Sequence, residues 1–244
     1  MTLPVFLADA VAGARPGDRV TLDGDEGRHA ATVKRIRVGE QLALTDGAGT
    51  TAVGNVVETA KASLVVEVVE TAFAERATPL VTVVQAIPKG DRGELAVEVL
   101  TEIDVDRIVP WAATRSVAVW RGDRAAKGLA KWQATARTAA KQARRSWLPE
   151  ITPVASTQDV VDLIAEADLA VVLHEDADLP LADLSLDGVG SILVVVGPEG
   201  GISADELVAF SAARAVRLGS SVLRTSTAGV AAVAALLART ERWR

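Results

Sequence analysis

Residues 191–203 read Ser-Ile-Leu-Val-Val-Val-Gly-Pro-Glu-Gly-Gly-Ile-Ser. The run Ser191–Val196 is apolar almost throughout and has no polar face. It therefore predicts a strand covered on both sides, the mark of a parallel sheet. The glycine-rich turn after it cannot extend the strand, and Ser203 with Glu206 three positions on has the spacing of a helix capping box. Working outward, further strands are expected at Leu80–Ile87, Arg107–Trp111, Asp168–His174 and Ala215–Leu218. Helical patterns lie between them. Glu94–Ile103 sets Leu95, Val99 and Leu100 against Glu94, Glu98 and Glu102, Arg124–Trp147 is Ala-rich and closes on Leu148-Pro149, and Asp159–Ala167 and Thr227–Arg242 follow. Strands alternating with helices predict an α/β domain with helices on both sheet faces.

Residues 1–73 have a different rhythm. Short alternating runs at Arg19–Leu22, Gln41–Thr45, Ala52–Glu58 and Ser63–Val69 are separated by turn signals such as Arg15-Pro16-Gly17-Asp18 and Asp46-Gly47-Ala48-Gly49. That spacing predicts a small β-barrel, with a helical turn or so within Glu26–Arg37. The polar stretch Ala74–Pro79 marks the boundary, giving domains over 1–73 and 74–244. No internal repeat is present.

The chain has 244 residues, 49% hydrophobic and 24% charged, which suits a packed core and excludes a disordered chain. With no Cys it has no disulfide, Cys-ligated zinc, iron–sulfur cluster or thiol nucleophile, and with two His a His-rich metal site is not expected. The longest apolar runs, Ile192–Val196 and Ala228–Ala238, fall short of the ~20 residues of a membrane span. Met1–Leu7 lacks the basic start of a signal peptide, so a cytoplasmic protein is expected.

A net charge of −6 excludes a uniformly basic binder, but the charge is uneven. Arg115, Arg121, Arg124, Lys127, Lys131, Arg137, Lys141, Arg144 and Arg145 face only Asp123 between residues 115 and 145, a net of +8. Arg28, His29, Lys34, Arg35 and Arg37 form a second cluster. Such asymmetry reads either as solvated helix faces or as a local polyanion site on an acidic body.

Three loops follow three strands in the second half: Leu173-His174-Glu175-Asp176, Val196-Gly197-Pro198-Glu199-Gly200-Gly201, and Leu218-Gly219-Ser220-Ser221-Val222-Leu223-Arg224. Ligands on open α/β sheets bind beyond the C-terminal strand ends, so all three should share one rim. The glycines allow close backbone approach or positive φ, and equally suit a tight connection. Neither the Gly-Lys-Ser/Thr of a P-loop nor Gly-x-Gly-x-x-Gly is present, and no Gly-x-Ser-x-Gly elbow supports a hydrolase. His174 alone reads as a hydrogen-bonded rim residue. Arg224 lies among apolar and small residues, and a guanidinium buried there would need a partner, for which an anionic ligand is one answer.

Val195–Gly201, Leu218-Gly219 and Val222-Leu223-Arg224-Thr225 resemble the RsmE family of SPOUT methyltransferases. The resemblance extends to Arg28-His29, Val33–Gly39 and Asp46-Gly47, to Lys89-Gly90, Thr101-Glu102 and Ile108-Val109-Pro110, and to Ala140–Arg145 with Leu148-Pro149. It departs at Ser226-Thr227-Ala228, where the family has Glu-Thr-Ala, at Glu102-Ile103-Asp104 for Glu-Leu-Gly, and at Pro4-Val5-Phe6 for an Arg-Phe opening. The resemblance implies an N-terminal PUA-like β-barrel for RNA and a C-terminal α/β domain with a trefoil knot. It also implies a homodimer, to which the small residues of Ala228–Ala238 could contribute unless they pack in the core.

The implied activity is S-adenosylmethionine-dependent methylation of N3 of a uridine in 16S ribosomal RNA of the small subunit. Cofactor contacts are then expected from Leu173, His174 and Glu175; from Val196, Gly197, Pro198, Glu199, Gly200 and Gly201; and from Leu218, Gly219, Val222, Leu223 and Thr225. Arg224 is the expected catalytic residue, with Glu175 or His174 as a candidate base. Arg28, His29, Lys34, Arg35, Arg37, Lys141, Arg144 and Arg145 are the expected RNA contacts. The alternatives are a SPOUT enzyme acting on another base or a ribose 2′-hydroxyl, and a non-catalytic RNA-binding assembly factor.

Overall fold

Short strands fill the first third of the chain. In the computed structural model, which describes residues 3–244 and leaves Met1 and Thr2 outside, β1 is Val5–Leu7 and β2 is Arg19–Leu22. Helix α1, Gly24–Arg28, runs into a wider turn of π type over His29–Val33. Strands β3 (Gln41–Thr45), β4 (Thr50–Thr59) and β5 (Leu64–Phe73) follow. The alternation seen in sequence does its work here: Leu42, Leu44, Val56, Leu64 and Val66 turn inward with Phe6 and Leu22, while Gln41, Glu58 and Glu67 stay out.

These strands form one sheet in the order β1-β3-β4-β5-β2, antiparallel except for β1 beside β3. The expected barrel is not closed. β1 has three residues and passes at Asp9–Val11 into a 3-10 turn; it pairs only with β3, and β2 only with β5. Register shifts at Val53/Gly54 and Val56/Glu58 bend the central ladder, but bending is not closure. Of the described residues, this first compact unit comprises 3–76 and Ala140–Leu148. The returning segment is tied in by backbone bonds from Gly49 N–H to Ser146 O (2.9 Å) and Leu148 N–H to Gly47 O (2.9 Å), and by Lys141 to Glu26 at 2.6 Å.

The second unit, Ala77–Ala139 and Pro149–Arg244, holds β6 (Leu80–Ala86), α2 (Arg92–Glu102), β7 (Arg107–Trp111), most of α3 (Asp123–Gln142) and β8 (Glu150–Ile151). It continues with α4 (Thr157–Glu166), β9 (Leu169–Leu173), β10 (Ser191–Val196), α5 (Ala204–Ala209), β11 (Arg214–Val216) and α6 (Thr225–Leu237). All six strands are parallel, in the order β11-β9-β10-β6-β7-β8. Both faces are covered, as the unbroken apolar runs require. Ile192, Val194 and Val196 face the core shared with α2 and α6, while Leu193 and Val195 face Val160, Ile164 and Phe210.

Some helix expectations shift. In α2 it is Ala96, Val97, Leu100 and Thr101 that are buried, while Leu95 is 41% exposed. Helix α3 stops at Gln142 rather than Trp147; two residues on, Arg144 takes φ +57°, left-handed backbone that no α-helix continues through. Helix α6 begins at Thr225, two residues earlier than Thr227, because Thr225 and Ser226 are small enough to be buried at its first turn. The chain end is fastened by Arg242, whose buried guanidinium bonds Asp104 (2.8 Å), Asp106 (2.7 Å) and the carbonyl of Pro79 (2.7 Å). Among the described residues, no helix is long and apolar enough to cross a membrane.

Candidate active site

Strands β9, β10 and β11 end on the same rim because they are parallel and close in the sheet. Their following loops enclose a cavity of about 450 Å³. The first loop starts at Leu173 and is held by His174, whose N–H donates to Val216 O at 2.9 Å. The ring Nδ1 of His174 accepts the Asp176 N–H at 3.2 Å, so in the neutral ring the proton sits on Nε2. Glu175, exposed, completes this side.

The second loop brings in Val196, Gly197, Pro198, Glu199 and Gly201. Gly201 takes φ +73° and donates to Pro198 O at 2.9 Å, closing a tight turn that glycine alone adopts without strain. Gly197 is a packing glycine, since a Cβ there would stand 2.7 Å from Ile202 Cγ1. Glu199 accepts the Lys89 N–H at 3.1 Å, which joins the loop after β6 to this one. Gly200 alone of the expected residues here does not line the cavity. It turns to Arg115, whose Nη1 donates to its carbonyl at 3.2 Å and whose Cβ would stand 3.0 Å from a Cβ at 200, a tight fit.

Leu218, Gly219, Val222, Leu223 and Thr225 form the third wall together with Arg224. The expectation of a buried Arg224 is corrected: its side chain is exposed. The residue sits immediately before α6, where its carbonyl accepts the N–H groups of Thr227 and Ala228, and this leaves the guanidinium free at the cavity. Sequence reasoning missed Arg92, Ile202, Arg217 and Ala228, and placed Ser220 and Ser221 in the third loop without naming them as contacts. Arg217 had a signal, since a charged residue directly follows an apolar strand end; its Nη1 donates to the Ala177 carbonyl at 3.0 Å and to that of Asp178. Arg92 lies more than eighty residues from the nearest loop and had none.

The expected RNA contacts fall in the first unit and separate into two kinds. Lys34, Arg35, Arg37 and Arg144 are exposed. Arg28 is exposed but pairs with Asp25 on the same helix. The others are occupied within the unit. Lys141 forms its ion pair with Glu26 with both side chains less than one-fifth exposed, His29 meets the Phe6 ring edge-on at 5.9 Å, and Arg145 is buried. The basic segment between residues 115 and 145 therefore does not present Arg145, and its Lys141 is already paired. Among the described residues, no group of three or more His, Asp or Glu is placed to hold a metal.

Comparison with known proteins meets this geometry directly. The family model described as "RNA methyltransferase domain" matches residues 75–237, and "RNA methyltransferase PUA domain" matches residues 22–69. The chain is 46% identical to the ribosomal RNA small subunit methyltransferase E of Mycobacterium tuberculosis, over all of this chain and 94% of that one. The chain belongs to the ribosomal RNA small subunit methyltransferase E family. A member from Bacillus subtilis is 29% identical over 91% of this chain and 90% of its own. The Neisseria gonorrhoeae member, solved bound to S-adenosyl methionine, superposes with a TM-score of 0.87 at 29% identity, covering 97% and 98% of the two chains. Against the family's Glu-Thr-Ala pattern, Ser226 is buried with its Oγ unpaired, beside Thr225, whose carbonyl accepts Gln85 Nε2 at 3.3 Å.

Proposed function

We propose that this chain methylates N3 of a uridine in the 16S ribosomal RNA of the small subunit, with S-adenosylmethionine as methyl donor. The observation that carries the reading is the single cavity made by three strand-end loops in a member of this family. Its volume falls within the ~300–1,000 Å³ of pockets that bury small ligands. Leu173, Val196, Ile202 and Leu218 offer apolar walls for an adenine, and the backbone of Pro198–Gly201 and Gly219–Leu223 offers groups for its polar edge. When bound, S-adenosylmethionine supplies a methyl carbon that leaves its sulfonium sulfur as the bond to uridine N3 forms.

The residues then divide the remaining work. Arg224 holds an oxygen of the uracil ring and stabilises negative charge as N3 gives up its proton. His174 keeps its own proton on Nε2 and so acts as a donor at the cavity wall. That leaves the exposed carboxylate of Glu175 to take the N3 proton, directly or through water. Lys34, Arg35, Arg37 and Arg144 bind phosphates, which gives the unit around β1–β5 its role as the RNA-binding, PUA-like domain, while the unit around β6–β11 is the catalytic domain. The same reading includes the trefoil knot around the three loops, a homodimer and action on ribosomal particles in the cytoplasm.

The experiment is transfer of labelled methyl from S-adenosylmethionine to purified small subunits, with mass spectrometry of the digested RNA. Labelled 3-methyluridine is expected. A 2′-O-methyl nucleoside, another methylated base or no transfer would overturn the proposal.

A further inference from the structure

Arg92 opens α2 and lines the cavity with Arg217 and Arg224, so three arginines border one cavity. They differ in what they do within the protein. Arg217 is committed to the carbonyls of Ala177 and Asp178. Among the described residues, Arg92 and Arg224 have neither an ion-pair nor a hydrogen-bond partner for their side chains. Among the described residues no cavity carboxylate is paired with them: Glu199 accepts a backbone N–H of the neighbouring loop, and the exposed Glu175 forms no ion pair.

Arg92 is also held in place. The next residue, Gly93, packs so tightly on Trp132 that a Cβ there would come 2.9 Å from the indole Nε1, and α2 buries Ala96, Val97 and Leu100 in the core. A cation presented by a rigid helix is a better binding group than one on a loop, because little backbone freedom remains to be lost. A half-buried guanidinium without a protein partner is a fork of donors matched to a planar or tetrahedral oxyanion.

Resting on the methyltransferase reading, we propose that Arg92 is a ligand-binding residue that takes an oxyanion of a bound molecule. The oxyanion is either the carboxylate at the amino-acid end of the cofactor or an anionic oxygen of the target nucleotide. The chemistry is shared, and the two sources can be told apart.

Wild type, Arg92→Ala and Arg92→Lys are compared in two titrations and one rate assay. S-adenosylhomocysteine keeps the amino-acid end and 5′-methylthioadenosine lacks it, so calorimetry with both isolates that end, whose one anionic group is the carboxylate. Methyl transfer to small subunits at saturating cofactor isolates the RNA. A loss of ~10-fold or more for S-adenosylhomocysteine alone assigns the carboxylate. Unchanged binding of both nucleosides, with a ~10-fold rise in KM or fall in kcat for subunits, assigns the RNA oxygen. Either is expected to be partly restored by Arg92→Lys, which keeps the charge. Changes below twofold in all three measurements, with wild type active, overturn the role of Arg92 and leave the methyltransferase reading standing. Equal loss of both nucleosides overturns it too, because that marks a collapsed wall. If Arg92→Ala does not fold, Arg92→Gln carries the same comparisons. A wild type inactive on small subunits removes the methyltransferase reading, and the two titrations still decide whether Arg92 binds the carboxylate.

Discussion

Arg224 illustrates what a side chain's surroundings in sequence can and cannot tell. Its small and apolar neighbours pointed to a buried cation, yet those neighbours are what let α6 begin at Thr225 and leave Arg224 outside the helix. Placed there, Arg224→Ala is expected to lower kcat by ~100-fold while cofactor affinity, read by calorimetry, stays within twofold. A comparable drop in affinity instead would move Arg224 from the uridine to the cofactor. Gly201 makes a purely structural prediction. Its φ of +73° penalises any side chain, so Gly201→Ala should cost about 1 kcal/mol in urea unfolding and weaken cofactor binding by loosening the turn. The glycines at 197, 200 and 201 looked alike in sequence, but one packs on Ile202, one on Arg115, and only Gly201 needs the left-handed backbone. Which glycine does which depends on neighbours over eighty residues away in one case, and no local pattern encodes that.

Helix α5 was legible as an element because its start signal is local: Ser203 and Glu206 do form the reciprocal cap. The rest of Glu206's environment was not. Burial raises the pKa of its carboxyl, but N–H bonds from Thr114 and Ser203 and the Ser203 hydroxyl outweigh that and bring it below its ordinary value. A carboxyl lowered in the folded state adds stability that is complete above its unfolded pKa and is lost as pH falls through the folded one. Urea midpoints should therefore fall on acidification below about pH 4.5, and Glu206→Gln should flatten that slope while costing ~1–2 kcal/mol at neutral pH. The bond to Thr114 also sets the loop after β7, whose Arg115 grips Gly200, so the cap of one helix steadies the glycine loop. Periodicity located α2 and α3 but not their faces or ends. Leu95 is outside because the helix is oriented by Trp132 against Gly93, and α3 stops short because Arg144 leaves helical space.

At the level of the molecule, the parallel sheet and its order of elements could be read from apolar runs alone, while the openness of the first sheet could not, because closure depends on whether two short edge strands meet. The C-terminal fastening was equally hidden. Arg242 spans from the last turn to Asp104 and Asp106, and Arg242→Met should cost about 3–5 kcal/mol by leaving both carboxylates without their buried cation. The −6 net charge with exposed Lys34, Arg35 and Arg37 predicts RNA binding that weakens with salt through a few contacts. Replacing any one of them by Ala should lower the slope of log K against log salt by about 1, and an unchanged slope would remove that residue from the RNA surface.

The return of residues 140–148 to the first unit bears on how the protein is made. Trp147 donates from its indole to Ala74 O at 2.7 Å, lies under the Arg76 guanidinium at 4.1 Å and meets Phe73 edge-on, while Leu148 fills the space over Gly47. Neither Trp147 nor Leu148 exists when the ribosome has delivered only the first 76 residues. Folding of a nascent chain usually completes N-terminal domains first. Here the earliest strands must wait, with Phe73 and Gly49 uncovered and Glu26 lacking its lysine, until residues 140–148 have emerged. A stalled chain ending before Lys141 should consequently be cut readily by protease within β4 and β5, and one extended past Leu148 and clear of the exit tunnel should resist.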